Sequence, residues 1–509
     1  MLPLISGSAR GALPAAAALV TAMLVAVALA NRALGVNPDE SIYLLLADDF
    51  GRWFGHAAPP AHFAWRFNQF PPLYPLLLGV LGANSVHAPF ARALSAILAG
   101  GATCAFVRWL AVEHLGGPVA RWVCALGWLM LPYTLYLATT ARSETAYAGA
   151  SLLALVALGR ARDGAGLMRA AGWVASAALI RSVGIALCAV FVWHAWRSRT
   201  PGRGRAIALA TLPVAAWFAY RTLWLHPELD YLGDAYLRYH GRPAWLIVTT
   251  LVQSAGALWR GWQALFDIAH RGWPSILGAA LLVPGLVATA VAVWRGAAAA
   301  HYAFLYVLVV LVWPYPDHAT RFLWPVAPVF LGYGLGLVSS LPSRRIPLGI
   351  ATAVFIAAIA PGWRHFAARG VEPMPPALAD YRGSELWLAD LPPAAAASNV
   401  RLIALVNASM QESGRLVPEG ECVFSVHPER MMLLARRASR APPLPAAAPA
   451  AFDVGIQACR YAHVVYTSGH PAYPAGYPAG RVADANVLAR FDLPHDGRPR
   501  ILAALLRLR

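Results

Sequence analysis

The sequence of 509 residues has little charge and no lysine. Only 13% of its residues are charged, whereas soluble domains carry roughly 25%. Hydrophobic residues make up 59%, and the mean hydropathy is +0.53. This composition excludes an ordinary soluble domain and predicts an integral membrane protein. The net charge of +17 comes from arginines scattered between apolar segments, which is typical of membrane loops, so we expect no nucleic-acid binding.

Cysteine is also scarce. Five cysteines are present, and no CxxC motif or His/Cys metal spacing occurs, so the sequence predicts no metal-ligand motif. Cys422 and Cys459 fall in the polar C-terminal part. If that part lies in an oxidising compartment, the two could form a disulfide.

Long apolar runs, by contrast, are abundant. A membrane-spanning helix needs roughly 20 apolar residues, and length and hydropathy together predict about eleven spans. The first run is longer than the roughly 7–15-residue core of a cleaved signal peptide, so we expect an uncleaved first span. The apolar blocks are residues 12–34, 88–110, 118–138, 144–160, 170–181, 183–197, 205–224, 275–294, 299–314, 321–340 and 346–363.

Arginine-rich loops set the predicted orientation. The stretches "GRARDGAGLMR" (159–169) and "RSRTPGRGR" (197–205) are basic, and both should face the cytoplasm. Both can do so only if the chain turns back near Arg181, between two short helices. An odd number of spans then leaves the C-terminus outside. We therefore predict a transmembrane domain over residues 1–363 and a small extracytoplasmic, periplasmic α/β domain over residues 364–509.

The polar C-terminal part predicts both kinds of secondary structure. "VRLIALV" (400–406) and "YAHVVYT" (461–467) are typical of strands, and "PERMMLLARR" (428–437) is typical of a helix. Pro/Ala-rich residues 391–397 and 441–451 predict loops.

Two predicted outer segments are long. Residues 35–87 contain "FPPLYPLLLGVLG", which we interpret as a helix lying in the membrane interface. Residues 225–273 are rich in Trp and Tyr. They are either an aromatic belt or a lid over a cavity.

Four acids follow the first apolar block. Asp48 and Asp49 are interpreted as the solvated face of an interfacial helix. Asp39 and Glu40 follow Pro38 at the exit of the first span, and three interpretations stay open for them. They are acids at a helix N-terminus, ligands of a cation, or a base held over a cavity. No cofactor is predicted firmly, and a divalent cation is left open.

Three arginines lie where the orientation predicts few. Arg142, Arg181 and Arg321 each fall at an outer span end, although short outer loops are normally poor in arginine. A guanidinium matches the oxygens of a lipid-borne phosphate. The alternative is snorkelling, or pairing with nearby acids such as Glu144 or Asp317. Three such arginines together favour an anion site. The substrate-binding candidates are Arg142, Glu144, Arg181, His318 and Arg321.

A carboxylate and several arginines at one membrane face suit glycosyl transfer from a lipid-phosphate sugar. The acceptor hydroxyl needs a base. A phosphate leaves without the paired acid that glycoside hydrolysis uses, provided that its charge is neutralised.

Successive blocks of the sequence resemble those of GT-C glycosyltransferases. The order of the blocks, over residues 12–363, is similar to the family 39-like branch that includes bacterial protein O-mannosyltransferases and lipid A aminoarabinose transferases. "ECVFSVHPERMMLLARRASRAPPLP" resembles the outer C-terminal domain that some members carry. The blocks are "NPDESIYLLLADDF", "QFPPLYPLLLGVLGANSVHAPFARALSAILAGGATCAFVRWLA", "PYTLYLATTARSETAYAGASLLALVALGRA", "ALIRSVGIAL" and "RFLWPVAPVFLGYGLGL".

This resemblance implies an inverting transferase in the bacterial inner membrane. Its donor would be a polyprenyl-phosphate-linked sugar, and its acceptor a glycan, lipid or protein, with membrane lipid around it. It implies Asp39 as the catalytic base with Glu40 beside it, Glu144 as a second acid and Arg321 as a phosphate ligand. The family often has Tyr after that arginine, where Phe322 stands here.

The family often has Lys at the lipid-phosphate site as well, where Arg181 would have to serve. A transporter or flippase for a lipid-linked anion would use the same arginines. It would, however, place ionisable groups in mid-span, whereas this sequence places them at span ends. A membrane scaffold with an outer binding domain gives no reason for the three arginines.

Overall fold

The protein is described here by a computed structural model. It covers residues 5–35, 37–57, 70–225, 240, 244–266, 276–278, 281–313, 318–341, 345–371, 393–443, 455–466, 475–479, 485–495 and 498–508. The chain divides into two compact units. The helical unit comprises Met1–Leu29, Asn68–Tyr74 and Pro89–Glu372, and the mixed unit comprises Ala30–Phe67, Pro75–Ala88 and Pro373–Arg509.

Helices make up most of the described chain. The first ten are α1 (Ile5–Ala30), α2 (Pro38–Trp53), α3 (Leu73–Val80), α4 (Ala88–Val112), α5 (Pro118–Leu129), α6 (Pro132–Ala138), α7 (Glu144–Arg160), α8 (Gly164–Ile180), α9 (Ile185–Ser198) and α10 (Arg203–Tyr220). The remainder are α11 (Ala244–Phe266), α12 (Val283–Trp294), α13 (Ala298–Leu311), α14 (Ala319–Leu323), α15 (Ala327–Ser339), α16 (Arg345–Val371), α17 (Pro393–Leu416) and α18 (Pro428–Ala435).

The helical unit contains the apolar helices. Within the described residues, four helices are long and apolar enough to cross a membrane: Gly11–Ala30, Ser85–Val112, Arg203–Leu225 and Ile276–Trp294. Shorter apolar helices are Gly164–Ile180, Ala298–Leu311, Ala327–Ser339 and Gly349–Arg364. The predicted α-helical polytopic fold is confirmed, and a total of about eleven spans stays a prediction.

Two of the predicted apolar blocks are interrupted. Residues 118–138 form α5 and α6, and residues 321–340 form α14 and α15. A proline at the start of α6 and another at the start of α15 explain the breaks, because proline cannot continue a helix but fits its first turn. The interruptions place short helices, rather than continuous spans, next to the candidate arginines.

The turn predicted at Arg181 is present. Helix α8 ends at Ile180, Arg181 is extended, Ser182–Gly184 form a 3-10 turn, and α9 begins at Ile185. A Cβ on Gly184 would lie 2.6 Å from the Cα of Ala178, so the turn folds back closely only with glycine. The Arg181 side chain therefore leaves the chain between two helices.

One helix was not predicted. Residues 225–273 were interpreted as an outer segment, yet α11 is a 23-residue helix within them. Its Thr, Gln, Ser and Arg residues lower its mean hydropathy below that of a typical span, so hydropathy did not identify it. Trp245 and Trp259 are exposed, and Trp262 is buried. Residues 226–239, 241–243 and 267–275 lie outside the described chain, so the belt and lid interpretations stay predictions.

The mixed unit contains a five-stranded sheet in the order β2-β1-β3-β5-β4. Strand β1 (Cys422–Ser425) is parallel to β2 (Ala438–Arg440) and β3 (Tyr461–Val465); β5 (Arg498–Arg507) is antiparallel to β3 and to β4 (Asn486–His495). Met410, Val423, Met431, Ala462 and Leu505 form its fully buried core. The predicted C-terminal α/β fold is confirmed.

Some of the predictions inside this unit were wrong. "YAHVV" is strand β3 and "PERMMLLA" is helix α18, as predicted, but "VRLIALV" lies in helix α17. The burial of Val406, Met410 and Ser413 follows the helical spacing, because these residues continue the apolar face beyond the short run that suggested a strand. Residues 393–397, predicted as a loop, begin this helix, and residues 444–451 lie outside the described chain.

The two C-terminal cysteines lie together. Cys422 on β1 and Cys459, just before β3, are joined as a disulfide with their Cα atoms 4.8 Å apart. The predicted domain boundary between residues 363 and 364 stays a prediction. Helix α16 runs through that point without interruption.

Candidate active site

Three of the predicted binding residues meet in the helical unit. Oε1 of Glu144 forms an ion pair with Nη1 of Arg181 at 2.8 Å and accepts a hydrogen bond from Nε of Arg321 at 2.6 Å. The side chain of Glu144 is fully buried, and those of the two arginines are 7% and 9% exposed. These three residues and Arg142 are called the Glu144 cluster below.

The members of the Glu144 cluster lie at helix ends, in a connection between helices, or in a very short helix. Glu144 is the first residue of α7, where a negative charge is stabilised by the helix dipole. Arg181 lies between α8 and α9, and its Nη1 also donates to Oγ of Ser143 at 3.2 Å. Arg321 lies in the five-residue helix α14. The chain breaks that interrupt the apolar blocks are therefore what bring these charges together.

Arg142 adds a third positive charge to the cluster. Its charge acts on Glu144, its guanidinium lies 5.3 Å from the ring centre of Tyr136, and the residue is 6% exposed. Glu144 carries −1 and Arg142, Arg181 and Arg321 carry +3, so these four side chains sum to +2. Burying such a cluster costs more free energy than apolar packing would. A buried cluster of this kind is thus typical of a functional site.

The two carboxylate oxygens of Glu144 differ in their partners. Among the residues that the structure describes, the buried Oε2 of Glu144 has no hydrogen-bond partner. Both arginine contacts are made by Oε1. Glu144 therefore fixes the two guanidinium groups from one side and retains hydrogen-bonding capacity of its own.

Aromatic side chains line the Glu144 cluster. The ring of Phe322 lies 5.1 Å from the guanidinium of Arg181 and 5.8 Å from that of Arg321, within the range of cation–π attraction. The Tyr306 hydroxyl donates to the backbone carbonyl of Phe322 at 2.7 Å. The Phe322 ring therefore contacts both guanidinium groups.

The tyrosines around this site were not among the site residues predicted from the sequence. The hydroxyls of Tyr147 and Tyr302 are hydrogen-bonded at 3.0 Å, and all three of Tyr147, Tyr302 and Tyr306 are fully buried. Tyr302 and Tyr306 lie one helical turn apart on the apolar helix α13. Two phenols at that spacing in a predicted span were the signal that could have identified them.

His318 lies outside the buried cluster. It is exposed at the residue before α14, three positions from Arg321. Asp317, the alternative partner for Arg321, lies outside the described residues.

The predicted catalytic acids belong to the mixed unit. Asn37 caps α2 by accepting a hydrogen bond from the backbone N–H of Glu40 at 3.1 Å, and Pro38 begins the helix. Asp39 and Glu40 are therefore first-turn acids; Asp39 is half-buried and Glu40 is buried. Within the described part of the chain, no group of three or more His, Cys, Asp or Glu residues is arranged to hold a metal ion.

The interpretation of Asp48 and Asp49 as a solvated face is wrong. Asp48 is 0% exposed and Asp49 is 3% exposed. Asp48 accepts from the backbone N–H of Ser85 at 3.0 Å, from its hydroxyl at 2.8 Å, and from Nη1 of Arg436 at 2.6 Å. Burial raises the pKa of Asp48, while Arg436 and Ser85 oppose that rise. These partners make burial of the carboxylate tolerable.

An apolar cavity also lies in the helical unit. It has a volume of about 680 Å³ and lies between α5, α12, α15 and α16. Its lining includes Met130, Leu331, Phe355 and Ile359. Such a lining can accept a hydrocarbon chain but not a charged group.

No family model matches the sequence, and no curated protein matches it. Among solved structures, ArnT from Cupriavidus metallidurans bound to undecaprenyl phosphate is similar at 16% identity over 97% of each chain, with a TM-score of 0.47. The Archaeoglobus fulgidus oligosaccharyltransferase AglB, in complex with an inhibitory peptide and a dolichol-phosphate, is 12% identical over 88% of this chain and 69% of its own, also at 0.47.

The arabinofuranosyltransferase AftD from Mycobacteria is 14% identical over 97% of this chain and 40% of its own, with a TM-score of 0.47. A likeness at 12–16% identity and a TM-score of 0.47 is coarse, and it assigns neither a donor nor an acceptor.

Proposed function

We propose that the protein is an inverting glycosyltransferase, which moves a monosaccharide from a polyprenyl-phosphate donor to an acceptor hydroxyl at the outer face of the cytoplasmic membrane. The observation that carries this proposal is the meeting of Arg181 and Arg321 at one oxygen of Glu144. Each arginine was selected separately from the sequence, because each lies at an outer span end where arginine is unexpected.

The Glu144 cluster would bind the donor phosphate. Arg181 and Arg321 are each paired with Glu144, largely buried and permanently charged. Guanidinium groups in such a site neutralise the charge that develops on a departing phosphate more effectively than they would in water. Glu144 would keep the two guanidinium groups from moving apart. Arg142 would add a third positive charge.

The donor's hydrocarbon chain also has a candidate site. The apolar cavity of the helical unit suits a polyprenyl tail, which is flexible and lacks polar groups. A buried cationic cluster and an apolar cavity in one helical unit are the two features that an anionic lipid requires.

Asp39 is the proposed base. It would accept the proton of the acceptor hydroxyl as the oxygen bonds to the sugar's anomeric carbon, while the bond from that carbon to the phosphate oxygen breaks and the lipid phosphate leaves. A single displacement of this kind inverts the anomeric carbon. Glu40, the next residue of the same first turn, is a secondary candidate.

The C-terminal disulfide supports an outer location for the mixed unit. Cys422 and Cys459 are bonded, and structural disulfides persist in oxidising compartments such as the bacterial periplasm.

A transporter or flippase for a lipid-linked anion is the second candidate, because it would need the same arginines. The described cluster lies at helix ends, namely the start of α7 and the end of α8. A transport pathway more often carries ionisable groups inside the spans, so the cluster favours catalysis.

The experiment compares cell-envelope glycans by mass spectrometry in three strains, which carry the wild-type protein, no protein, or Asp39→Asn. For a transferase, one sugar modification is absent without the protein, and base removal slows its addition by about 10²–10⁴-fold. For a transporter, the strain that carries Asp39→Asn should show the same sugar modification as the strain that carries the wild-type protein. Asp492→Asn, an exposed carboxylate paired with Arg490 in the same unit, is the matched control.

A further inference from the structure

An asparagine of the C-terminal chain binds the segment that leads into helix α2. Asn407 lies on α17 and is 2% exposed, and its Nδ2 donates to the backbone carbonyl of Leu34 at 2.8 Å. Both residues belong to the mixed unit, although they are 373 positions apart in the chain. The carbonyl that accepts this bond precedes Asp39, the proposed base, by five positions.

The other end of the same amide is also occupied. Nη2 of Arg430, in the first turn of α18, donates to Oδ1 of Asn407 at 2.5 Å. Because Oδ1 accepts from a guanidinium, the amide faces the Leu34 carbonyl with an N–H donor. Asn407 thus joins three parts of the mixed unit, namely α17, α18 and the segment before α2.

The segment between this bond and the proposed base is held at two further points. Gly35 has a φ of +68°, and a Cβ on it would lie 2.9 Å from a methyl carbon of Leu434 on α18. A larger residue at position 35 would therefore be strained in its backbone and would push against α18. Asn37 then caps α2 by accepting from the backbone N–H of Glu40 at 3.1 Å. Asp39 lies inside the turn that this cap begins.

A second anchor follows Asp39 in the chain. Nη1 of Arg436 donates to Oδ2 of Asp48 at 2.6 Å, and its Nη2 donates to the hydroxyl of Ser85. Asp48 lies in the second half of α2. The ion pair therefore fixes the far part of the helix, whereas the bond from Asn407 fixes its entry.

We propose that Asn407 is a positioning residue for Asp39, which fixes the entry to α2 and thereby the place of the carboxylate. This inference rests on the proposed function. Positioning matters because an error of about 1 Å in the geometry of a reacting group can cost about 10²-fold in rate. The proposed donor site, the Glu144 cluster, belongs to the other unit. Asn407 should therefore act on kcat rather than on the KM for the donor.

Asn407→Asp isolates this bond, because Asp has nearly the same shape and lacks the N–H donor. One oxygen keeps the bond from Arg430, now charge-assisted, while the other meets the Leu34 carbonyl as a second acceptor. The link between α17 and α18 is thus retained, and the link to the segment before α2 is lost. Ser409→Ala is the matched control, because Ser409 is equally buried on α17 and bonds His463 of β3 at 2.9 Å instead.

Hydrogen exchange measures the anchor without turnover. Mass spectrometry of the full-length protein in nanodiscs would follow peptides from residues 30–45 and from strand β3. We expect Asn407→Asp to speed exchange over residues 30–45 by about tenfold, the equivalent of one hydrogen bond, and to leave β3 unchanged. Ser409→Ala should leave residues 30–45 unchanged. Wild-type exchange over residues 30–45 in Asn407→Asp, or equal acceleration there in both variants, would overturn the anchor.

Turnover tests what the anchor does. With a polyprenyl-phosphate sugar donor, Asn407→Asp should lower kcat by about tenfold to a hundredfold and leave the donor KM unchanged. The double variant Asn407→Asp/Asp39→Asn should be no slower than Asp39→Asn alone, since Asn407 acts through that carboxylate. Ser409→Ala should keep the wild-type kcat. Melting temperatures identify any variant whose kcat falls through misfolding.

The outcomes separate the two proposals. Wild-type kcat in well-folded Asn407→Asp overturns the positioning role but not the transferase. A loss that adds in full to that of Asp39→Asn also overturns the positioning role, because Asn407 would then act on another group. Absence of wild-type turnover, together with a normal envelope glycan pattern in cells lacking the protein, overturns the transferase. The hydrogen-exchange comparison then still decides whether the anchor exists.

Discussion

Glu144 in the helical unit and Asp48 in the mixed unit are both fully buried carboxylates bonded to arginine, yet they differ in how their charge is compensated. Asp48 has one arginine, Arg436, and one serine, Ser85. Both of its oxygens accept hydrogen bonds, Oδ1 from Ser85 and Oδ2 from Ser85 and Arg436. The pair sums to zero charge.

The Glu144 cluster, in contrast, has more positive than negative charge. One carboxylate oxygen receives two arginines, the second oxygen has no hydrogen-bond partner within the described chain, and Arg142 adds another positive charge. A balanced pair such as Asp48–Arg436 is sufficient to join two segments. An excess of buried arginines is instead expected where an anionic ligand binds. The comparison separates a structural ion pair from a candidate binding site.

The largest effect on stability is expected from Glu144→Gln. This variant leaves Arg181 and Arg321 buried without the carboxylate that holds them, and loss of one partner from a buried ion pair costs about 3–5 kcal/mol. Thermal unfolding in mild detergent should show a clearly lower melting temperature. Glu412→Gln, whose pair with Arg415 is exposed, should change stability by less than about 1 kcal/mol. Equal melting temperatures for the two variants would contradict the account.

A smaller, pH-dependent effect is expected from Arg436→Gln. A hydrogen bond to a charged group contributes about 1.5–3 kcal/mol, and Arg436 is 24% exposed, so water can replace part of it. Burial already raises the pKa of Asp48, and loss of Arg436 raises it further. Protonated Asp48 is then favoured in the folded state, so the stability lost by the variant should be least at acidic pH and should grow as pH rises.

Thermal unfolding of wild type and Arg436→Gln between pH 5 and 8 measures this dependence. A loss of stability that is constant over the range would mean that Asp48 is not the group left uncompensated. Arg415→Gln, which removes an exposed arginine, should show no trend with pH.

The smallest effect is expected at the two serines that accompany these carboxylates. Ser85→Ala removes the hydroxyl that bonds Asp48, and a single bond of this kind contributes about 1 kcal/mol. Ser143→Ala removes an acceptor of Arg181 at the longer distance of 3.2 Å, so it should cost less. Chemical unfolding of both variants measures the loss in free energy of unfolding. A larger loss from Ser143→Ala than from Ser85→Ala would contradict the interpretation of Asp48 as the more tightly bonded, structural carboxylate.

Much of the helical unit could be predicted from sequence because hydropathy and charge act locally. The turn at Arg181 followed from two basic loops that both belong on one side of the membrane, and the structure places it there. The gathering of Arg181 and Arg321 could be suspected, since the sequence predicts both at outer span ends. Their common partner, Glu144, could be proposed from its position beside Arg142.

The rest depended on contacts between distant parts of the chain. Asp48 and Arg436 are 388 positions apart, so nothing near Asp48 in the sequence indicated burial. Likewise, the short run at 400–406 is too brief for periodicity to separate a strand from a helix, and packing of α17 in the mixed unit decided it.

Binding of a polyprenyl phosphate is the measurement that tests the central claim most directly. Wild type, Arg321→Ala, Arg321→Lys and Arg160→Ala would be titrated in nanodiscs with undecaprenyl phosphate, and with the uncharged polyprenol as a probe for the tail alone. Arg160 is the matched control, because it is exposed at the opposite end of the helix that Glu144 begins. The melting temperatures of all four proteins would also be measured, to check that each is folded.

We expect Arg321→Ala to weaken binding of the phosphate by about tenfold to a hundredfold, the equivalent of one charge-assisted hydrogen bond. Arg321→Lys should recover part of this, because a point charge cannot make the bidentate contact. Polyprenol binding and the Arg160→Ala variant should remain unchanged. Wild-type affinity for the phosphate in a well-folded Arg321→Ala protein would contradict the claim that the Glu144 cluster binds the donor.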